Sequence, residues 1–408
     1  MTRTRRTAAA AALLLALPLS VLAAGPALAA PGPGSSTTAP TALSAPATPA
    51  APATGTVAPG FHAELPRPTG PYAVGREVLH LVDQDRPDPW VPSAGPRQLM
   101  VSMYYPAKPG TGDPAPYMTT EEARRMLALK VPGTTIPPEA LAGTGTWARS
   151  GARPEHGRYP LVVLSPGFTM PRTELTSLAE DLASRGYVVA SVDHTYENSG
   201  TTFPDGHTTP CVLCGHLHPG DAAKVSESRA KDVSFVIDQL TAHPHPAWRY
   251  ARMIDGERIG MAGHSLGGAA AVPAMQTDDR ILAGVNLDGT MEHTVPAEGL
   301  DGRPFLLISH AQEGPGEDPT WTESWAHLDG WKRWLTVAGS NHGTFTDLPV
   351  LAAAAGLPEP PGTTITPQRS VALTRSYVAA FFDLHLKGVA QPVLDGPTPA
   401  DPEVTFHP

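Results

Sequence analysis

The sequence predicts an α/β fold in which a mostly parallel central sheet is flanked by helices. From Tyr159 onward, short apolar runs alternate with amphipathic segments, an order typical of parallel sheets that are covered on both faces. One apolar run, residues 259–262, leads into Gly263-His-Ser-Leu-Gly267 and then into a small-residue helix. This order of strand, G-x-S-x-G and helix is the context of a nucleophile elbow, a sharp turn that presents a serine at the top of a strand.

The first 60 residues are expected to lie outside the folded domain. Residues 1–29 have the pattern of a signal peptide: arginines, an apolar stretch rich in alanine and leucine, and the small-x-small sequence Ala27-Leu-Ala29. Residues 30–60 are mostly Pro, Ala, Thr, Ser and Gly, without a charged or aromatic residue, which predicts a disordered linker. We therefore expect a secreted protein that is cleaved near Ala29.

One folded domain is expected over residues 61–395, followed by a tail over residues 396–408. Strands are predicted over residues 75–82, 99–105, 160–164, 187–192, 259–262, 281–287, 304–309 and 331–337. Helices are predicted over residues 120–129, 174–185, 232–241, 319–329 and 370–387. The polar segment 193–220 is long for a connection in a compact domain, which favours a functional role. The Met and Leu face of the first helix favours packing on the core over contact with lipid.

The net charge limits the classes of binding partner that we expect, and the two cysteines bear on the redox compartment of the protein. The full chain of 408 residues has a formal net charge of −10, which becomes more negative when the leader arginines are removed. A nucleic-acid-binding surface needs a basic patch, so no nucleic-acid partner is expected. The two cysteines, Cys211 and Cys214, have C-x-x-C spacing. In an exported protein this spacing favours a local disulfide, while three nearby histidines leave a zinc site as the alternative.

Ser265 needs a base to become a nucleophile, and the base needs an acid to orient it. In the α/β-hydrolase fold the chain order is serine, acid, histidine, so the base should follow Ser265. His342 fits best because it lies in a small-residue loop directly after the last predicted strand. His310 also follows a strand, but one strand earlier than the usual position of the base.

Asp288 is the favoured acid because it ends the first predicted strand after the elbow and precedes a glycine. Its rivals are Glu313, Glu317 and Asp318. They follow the second strand beyond the elbow, where many α/β-hydrolases keep this residue. Spacing favours Asp288 and leaves these rivals open.

The tetrahedral intermediate of ester hydrolysis needs two backbone N–H donors. One is predicted at Leu266, directly after the nucleophile, and the other in the turn at residues 165–169. In that turn Gly167 lets the backbone direct the Phe168 N–H into the cleft. This chemistry requires no metal and no organic cofactor.

Several segments in succession carry a family resemblance. They are Ser165-Pro-Gly-Phe168, Tyr187-Val-Val-Ala-Ser-Val-Asp193, Gly263-His-Ser-Leu-Gly-Gly268, Asn286-Leu-Asp-Gly289 and Ser340-Asn-His-Gly-Thr-Phe345. Together they resemble the secreted platelet-activating factor acetylhydrolase family of α/β-hydrolases. The resemblance implies that Asp288 is the acid and that the Phe168 and Leu266 amides form the oxyanion hole. The C-x-x-C segment departs from the family, as does Leu266, where phenylalanine is common.

The sequence thus predicts a secreted serine esterase with the triad Ser265, Asp288 and His342. The resemblance implies phospholipids with a short or oxidised sn-2 acyl chain as substrates, with transient contact to a lipid surface and no stable protein partner. A lipase, polyesterase or general acyl esterase with the same triad is the first alternative. A non-catalytic hydrolase-like binding protein is the second.

Overall fold

The computed structural model describes residues 61–218, 220–310 and 317–408. The predicted signal peptide over residues 1–29 and the linker over residues 30–60 lie outside these described residues, as does Glu313. Within the described ranges, no helix is both long and apolar enough to cross a membrane.

A mixed sheet forms the centre of the described residues. The strands, numbered in chain order, are β1 (Ala73–Pro87), β2 (Pro96–Ala107), β3 (Asp113–Pro114), β4 (Arg149–Ser150), β5 (Tyr159–Ser165), β6 (Val188–His194), β7 (Thr201–Thr202), β8 (Thr208–Thr209), β9 (Ile254–His264), β10 (Ile281–Leu287), β11 (Phe305–His310), β12 (Lys332–Val337) and β13 (Val404–His407). Their order in the sheet is β13-β12-β11-β10-β9-β5-β6-β2-β1-β4-β3, while β7 and β8 form a separate hairpin. Strands β12 through β6 in this order are parallel, so their carboxyl ends lie along one edge.

Helices cover both faces of the sheet. They are α1 (Thr120–Lys130), α2 (Pro138–Ala142), α3 (Thr176–Ser184), α4 (Asp221–Thr241), α5 (Leu266–Ala269), α6 (Ala271–Thr277), α7 (Pro319–His327), α8 (Leu348–Ala354) and α9 (Pro367–Lys387). One large core cluster includes buried residues of α4 and α6, and a second large cluster includes buried residues of α3 and α9. Because both faces are covered, β5 and β6 are buried at every position, which explains their continuous apolar runs.

The expected alternation of strands and helices is present, with boundaries that follow local capping. The strand predicted over residues 281–287 coincides with β10. Helix α9 begins earlier than predicted because Thr366 accepts a hydrogen bond from the Arg369 N–H and Pro367 takes the first position. The predicted helix over residues 232–241 is the second half of α4, whose first turns are largely polar.

Helix α1 packs as the sequence suggests. Thr119 caps it by accepting from the Glu122 N–H, and Glu122 in turn accepts from the Thr119 N–H. Met126 and Leu127 are buried in a small cluster with residues of α2 and α8. Met126 and Leu127 of α1 are therefore covered by protein, whereas Leu129 is 40% exposed.

The end of the chain differs from the tail expected over residues 396–408. Val404–His407 is an edge strand that pairs with β12 in antiparallel register. Val404 is buried, and His407 Nε2 lies 2.7 Å from Thr336 Oγ1. A four-residue strand is recognisable only together with its partner, which lies far away in the sequence. The folded domain therefore extends beyond residue 395.

Helix α9 approaches β9 closely at Gly260. A Cβ at this position would lie 2.5 Å from Phe382 Cε1 and 3.1 Å from Leu386 Cδ1. Both neighbours are buried in the core. The absence of a side chain at Gly260 therefore sets the distance between the helix and the sheet.

Gly260→Ala should lower the free energy of unfolding by about 1–3 kcal/mol, because the added methyl group overpacks this contact. Urea denaturation of the purified protein measures the change. Gly256→Ala is a matched control in the same strand, since its Cβ would meet only Thr241 Cγ2 at 3.7 Å. Equal stability of the two variants would contradict the close-packing argument.

Candidate active site

Ser265 lies in a sharp turn between β9 and α5. Its backbone has φ 55° and ψ −128°, a strained conformation for a residue with a side chain. The Ser265 N–H donates to Leu287 O at 2.8 Å, which anchors the turn to the end of β10. A Cβ at Gly267 would lie 2.0 Å from Ser165 O, so a glycine is needed where the turn meets β5. The backbone is that of a nucleophile elbow, and Ser265 is partly exposed.

Asp288 and His342 meet beside this elbow. Asp288 follows β10 and is buried, and its Oδ2 lies 2.6 Å from His342 Nδ1. The His342 ring packs 4.7 Å from the ring of His264, the residue before the nucleophile. Within the described ranges the Ser265 hydroxyl makes no hydrogen bond. Catalytic hydrogen bonds are often long or absent before a substrate is bound, so this observation is compatible with a nucleophilic Ser265.

A second histidine, which the sequence did not place here, contacts the same carboxylate. His310 Nδ1 lies 2.8 Å from both Asp288 oxygens, and the His310 N–H donates to Oδ1 at 2.8 Å. The His310 side chain is 12% exposed, whereas that of His342 is 52% exposed. Since His342 packs against the residue that precedes the nucleophile, the geometry favours His342 as the base.

Burial raises the pKa of Asp288, but hydrogen bonds from His310 and His342 outweigh burial and hold this pKa well below its usual range. An ionised Asp288 favours the tautomer of His342 that carries its proton on Nδ1, which leaves Nε2 to accept a proton. The three side chains could together hold a metal ion, because their ligand atoms lie within 4.8 Å of one another. The hydrogen bonds of both histidines to Asp288 already account for the arrangement, and serine chemistry needs no metal.

The rival acids have other positions. Asp318 caps α7, where its side chain accepts from the Thr320 N–H at 2.8 Å. Glu317 is exposed at the start of that helix. Of the acids that the structure describes, Asp288 is the one in contact with His342.

The Phe168 and Leu266 amides are available to a substrate. Phe168 lies in the turn after β5, and Leu266 is the first residue of α5. In the described part of the chain, neither amide donates a hydrogen bond. The Phe168 turn is held from both sides, since the Gly167 N–H donates to Glu174 Oε2 and the Thr169 N–H to Glu197 O.

Beneath this turn lies another serine–histidine–aspartate chain. Ser165 Oγ is 2.9 Å from His194 Nε2, and His194 Nδ1 is 2.8 Å from Asp232 Oδ2. All three residues are buried, with at most 1% of their surface exposed. Burial and the nearby Arg229 lower the pKa of His194. A substrate cannot reach Ser165, so the connectivity of a triad alone does not identify a nucleophile.

No sequence pattern predicts the charged residues that surround this buried Ser165–His194–Asp232 chain. Arg97 is fully buried and pairs with Asp88, Glu197 and Asp232. Arg229 pairs with Glu197 and donates to Pro166 O, in the turn that contains Phe168. These residues are far apart in the chain, and no local motif links them. Their contacts attach β2, α4 and the Phe168 turn to one another.

Cys211 and Cys214 are joined by a disulfide, with an S–S distance of 2.04 Å. From the same segment, Leu213 and Leu217 pack in an apolar cluster with the side chains of both predicted oxyanion residues. The polar segment 193–220 is thus partly ordered by a hairpin and a disulfide, and it borders the site.

The chain is similar to known proteins in both sequence and structure. The family model described as platelet-activating factor acetylhydrolase, isoform II, matches residues 60–206 and 248–357. The chain is 29% identical over 388 residues to a probable 1-alkyl-2-acetylglycerophosphocholine esterase of Arthroderma benhamiae, covering 84% of this chain and 93% of the relative. It is 28% identical over 211 residues to a bis(hydroxyethyl) terephthalate hydrolase of Streptomyces coelicolor, covering 49% and 58%.

A solved structure extends the likeness to the whole fold. The ferulic acid esterase from Streptomyces cinnamoneus has a TM-score of 0.76 and 46% sequence identity, and the match covers 85% of this chain and 99% of that one. The α/β-hydrolase fold expected from the sequence is confirmed. The chain belongs to the platelet-activating factor acetylhydrolase isoform II family, and its named relatives are esterases.

Proposed function

We propose that this protein is a serine esterase with the triad Ser265, His342 and Asp288. The observation that carries the proposal is the buried Asp288 carboxylate, which contacts His342 Nδ1 at 2.6 Å beside a strained elbow serine. Asp288 contacts the base as the acid of a triad does. The half-exposed His342 and the partly exposed Ser265 can meet a substrate, unlike the buried Ser165 chain.

In the proposed reaction Ser265 Oγ attacks the ester carbonyl carbon while His342 Nε2 takes the hydroxyl proton. The carbonyl oxygen becomes an oxyanion and accepts hydrogen bonds from the Phe168 and Leu266 amides. Collapse breaks the ester bond, and the alcohol leaves with the proton from His342. Water then attacks the acyl-enzyme by the same steps, which releases the acid and restores Ser265.

For the substrate we propose phospholipids with a short or oxidised sn-2 acyl chain. The family match and the named activity of the fungal relative support this class. Aryl esters are a second candidate, supported by the 46% identity to a ferulic acid esterase.

We further propose that the protein is exported after cleavage near Ala29. The support is the signal-peptide pattern of residues 1–29 and the Cys211–Cys214 disulfide, a bond that persists in oxidising compartments.

Ser265→Ala should lower kcat/KM for p-nitrophenyl acetate by at least about 10⁴-fold, because the nucleophile is lost. A fluorophosphonate probe, read by mass spectrometry, should label the unaltered protein at Ser265 and leave Ser265→Ala unlabelled. Ser165→Ala is the matched control and should still be labelled at Ser265. Labelling at Ser165, or turnover by Ser265→Ala, would reject the assignment.

His342→Ala and His310→Ala separate the two histidines on Asp288. His342→Ala should lower kcat by about 10⁴-fold, since no base remains. His310→Ala should keep kcat within about tenfold, because Asp288 still accepts from His342 and from the residue 310 N–H. Steady-state kinetics on the same ester measures both, and the opposite ranking would make His310 the base.

A substrate comparison decides between the two ester classes. We expect kcat/KM to be higher for phosphatidylcholine with an sn-2 acetyl group than for methyl ferulate or tributyrin, and each activity to disappear in Ser265→Ala. A kcat/KM for methyl ferulate about tenfold above that for the phospholipid, a difference of about 1.4 kcal/mol in transition-state binding, would select the aryl-ester candidate.

A further inference from the structure

His264 connects the elbow to the loop that carries the proposed base. Its side chain is buried, and its Nε2 lies 2.7 Å from the backbone carbonyl oxygen of His342. This contact joins two residues that are 78 positions apart in the sequence. The imidazole next to the nucleophile is therefore directed away from the substrate and toward the backbone of the base.

The other nitrogen of His264 meets a buried carboxylate. His264 Nδ1 lies 3.0 Å from Glu174 Oε1, and the Glu174 side chain has no exposed surface. The second carboxylate oxygen, Oε2, accepts from the Gly167 N–H at 2.7 Å. Gly167 precedes Phe168, the proposed oxyanion donor. Glu174 therefore contacts both the oxyanion turn and the imidazole beside the nucleophile.

This arrangement requires close packing. A Cβ at Gly167 would lie 2.8 Å from His264 Nδ1 and 3.4 Å from Glu174 Oε1, so a side chain there would separate the turn from the pair. The Glu174 backbone carbonyl also accepts from the Asp347 N–H at 2.9 Å, just beyond the base loop. The turn, the elbow and the base loop are thus linked through one buried residue pair.

We infer that Glu174 and His264 act as positioning residues, a buried carboxylate–imidazolium pair that holds the oxyanion turn and the base loop in register with the nucleophile. The inference rests on the proposed function, because it assigns a role relative to Ser265, His342 and the Phe168 amide. Neither residue touches the reacting atoms.

The pair fulfils this role only when His264 carries two N–H groups. Nε2 contacts His342 O, while Nδ1 and Glu174 Oε1 form an ion pair at 3.0 Å without hydrogen-bond geometry, so this contact is attractive only when Nδ1 also carries a proton. Burial lowers the pKa of His264, but Glu174, the His342 carbonyl and the Asp288 charge together outweigh burial, and the net pKa is raised. Burial likewise raises the pKa of Glu174, but His264 outweighs it and the net pKa is lowered. Both shifts therefore favour the ionised pair.

Other ionisable groups face the pair from every neighbouring element. Lys130 from α1 and Tyr117 from the segment before it lie near Glu174. Asp288 and the His342 ring lie near His264. The Lys130 and Asp288 charges support the ionised pair, because Lys130 lowers the pKa of Glu174 and Asp288 raises that of His264.

The direction of the pH dependence follows from these pKa shifts. Because the pKa of His264 is raised, the pair contributes to the free energy of unfolding. This contribution is fully present below the pKa of the unfolded state and is lost as the pH rises through the pKa of the folded state. Because the pKa of Glu174 is lowered, its contribution to the free energy of unfolding is lost only as the pH falls through the pKa of Glu174 in the folded state. Loss of the His264 proton should therefore reduce kcat at alkaline pH, as Nδ1 then presents a lone pair to the carboxylate.

Two substitutions at Glu174 distinguish its role in positioning the Gly167 turn from the effect of its negative charge on His264. Glu174→Ala removes the acceptor of the Gly167 N–H and should lower kcat by about 10²-fold with little change in KM, the size of effect that a misplaced catalytic group produces. Glu174→Gln keeps an acceptor for Gly167 and offers an amide N–H to a neutral His264. It should keep kcat at neutral pH within about tenfold and abolish the alkaline decrease.

Glu180→Gln is the matched control, since Glu180 is also buried and accepts from two backbone N–H groups, but outside the site. It should keep the alkaline decrease of the unaltered protein. Rates are measured from pH 5 to 10 and divided by the sites that a fluorophosphonate probe titrates, so that unfolded protein is not counted.

A Glu174→Ala rate per titrated site equal to that of the unaltered protein would overturn the inference. An unchanged alkaline decrease in Glu174→Gln would do the same, and this variant alone decides if Glu174→Ala fails to fold. In both cases normal labelling of Ser265 would leave the proposed function standing. Absence of labelling in the unaltered protein would instead reject the proposed function.

Discussion

The contact between the elbow and the end of β10 sets the position of every group in the site. The Ser265 N–H donates to Leu287 O, and a Cβ at Gly289 would lie 2.1 Å from Ser265 O, so the two strand ends touch along their backbones. A strained residue of this kind costs about 1–3 kcal/mol and persists only where its surroundings hold it. Here the parallel strands on either side provide that support, and Asp288 comes directly after the contact.

Three buried acids are each paired with an imidazole around this contact: Asp288 with His342, Glu174 with His264, and Asp232 with His194. An unpaired buried carboxylate is costly, so each acid needs its donors. The pairs differ in access to solvent, because only His342 is half exposed while the other two imidazoles are buried. The same chemical pairing thus serves the proposed chemistry in one place and the positioning of backbone in the others.

Sequence reasoning could locate the residues whose roles depend on where a strand ends. Ser265, Asp288 and His342 each follow a predicted strand, and parallel strands bring such positions to one edge. The same reasoning did not find Glu174 or place His310 on Asp288, because those contacts depend on packing between distant segments. It also missed β13, whose few residues form a strand only against β12.

The family match is interrupted at residues 207–247, a segment that includes the disulfide and all of α4. This segment also supplies Asp232, which neutralises Arg97 and contacts His194. If this segment were replaced by the corresponding segment of a relative, the replacement would therefore change the buried interior as well as the surface that borders the proposed site. A transplanted segment must bring its own acid to the same interior point, or it leaves His194 Nδ1 without its partner and Arg97 with only Asp88 and Glu197 as counter-charges. A change in the segment that borders the proposed site is in this way tied to retention of a buried acid.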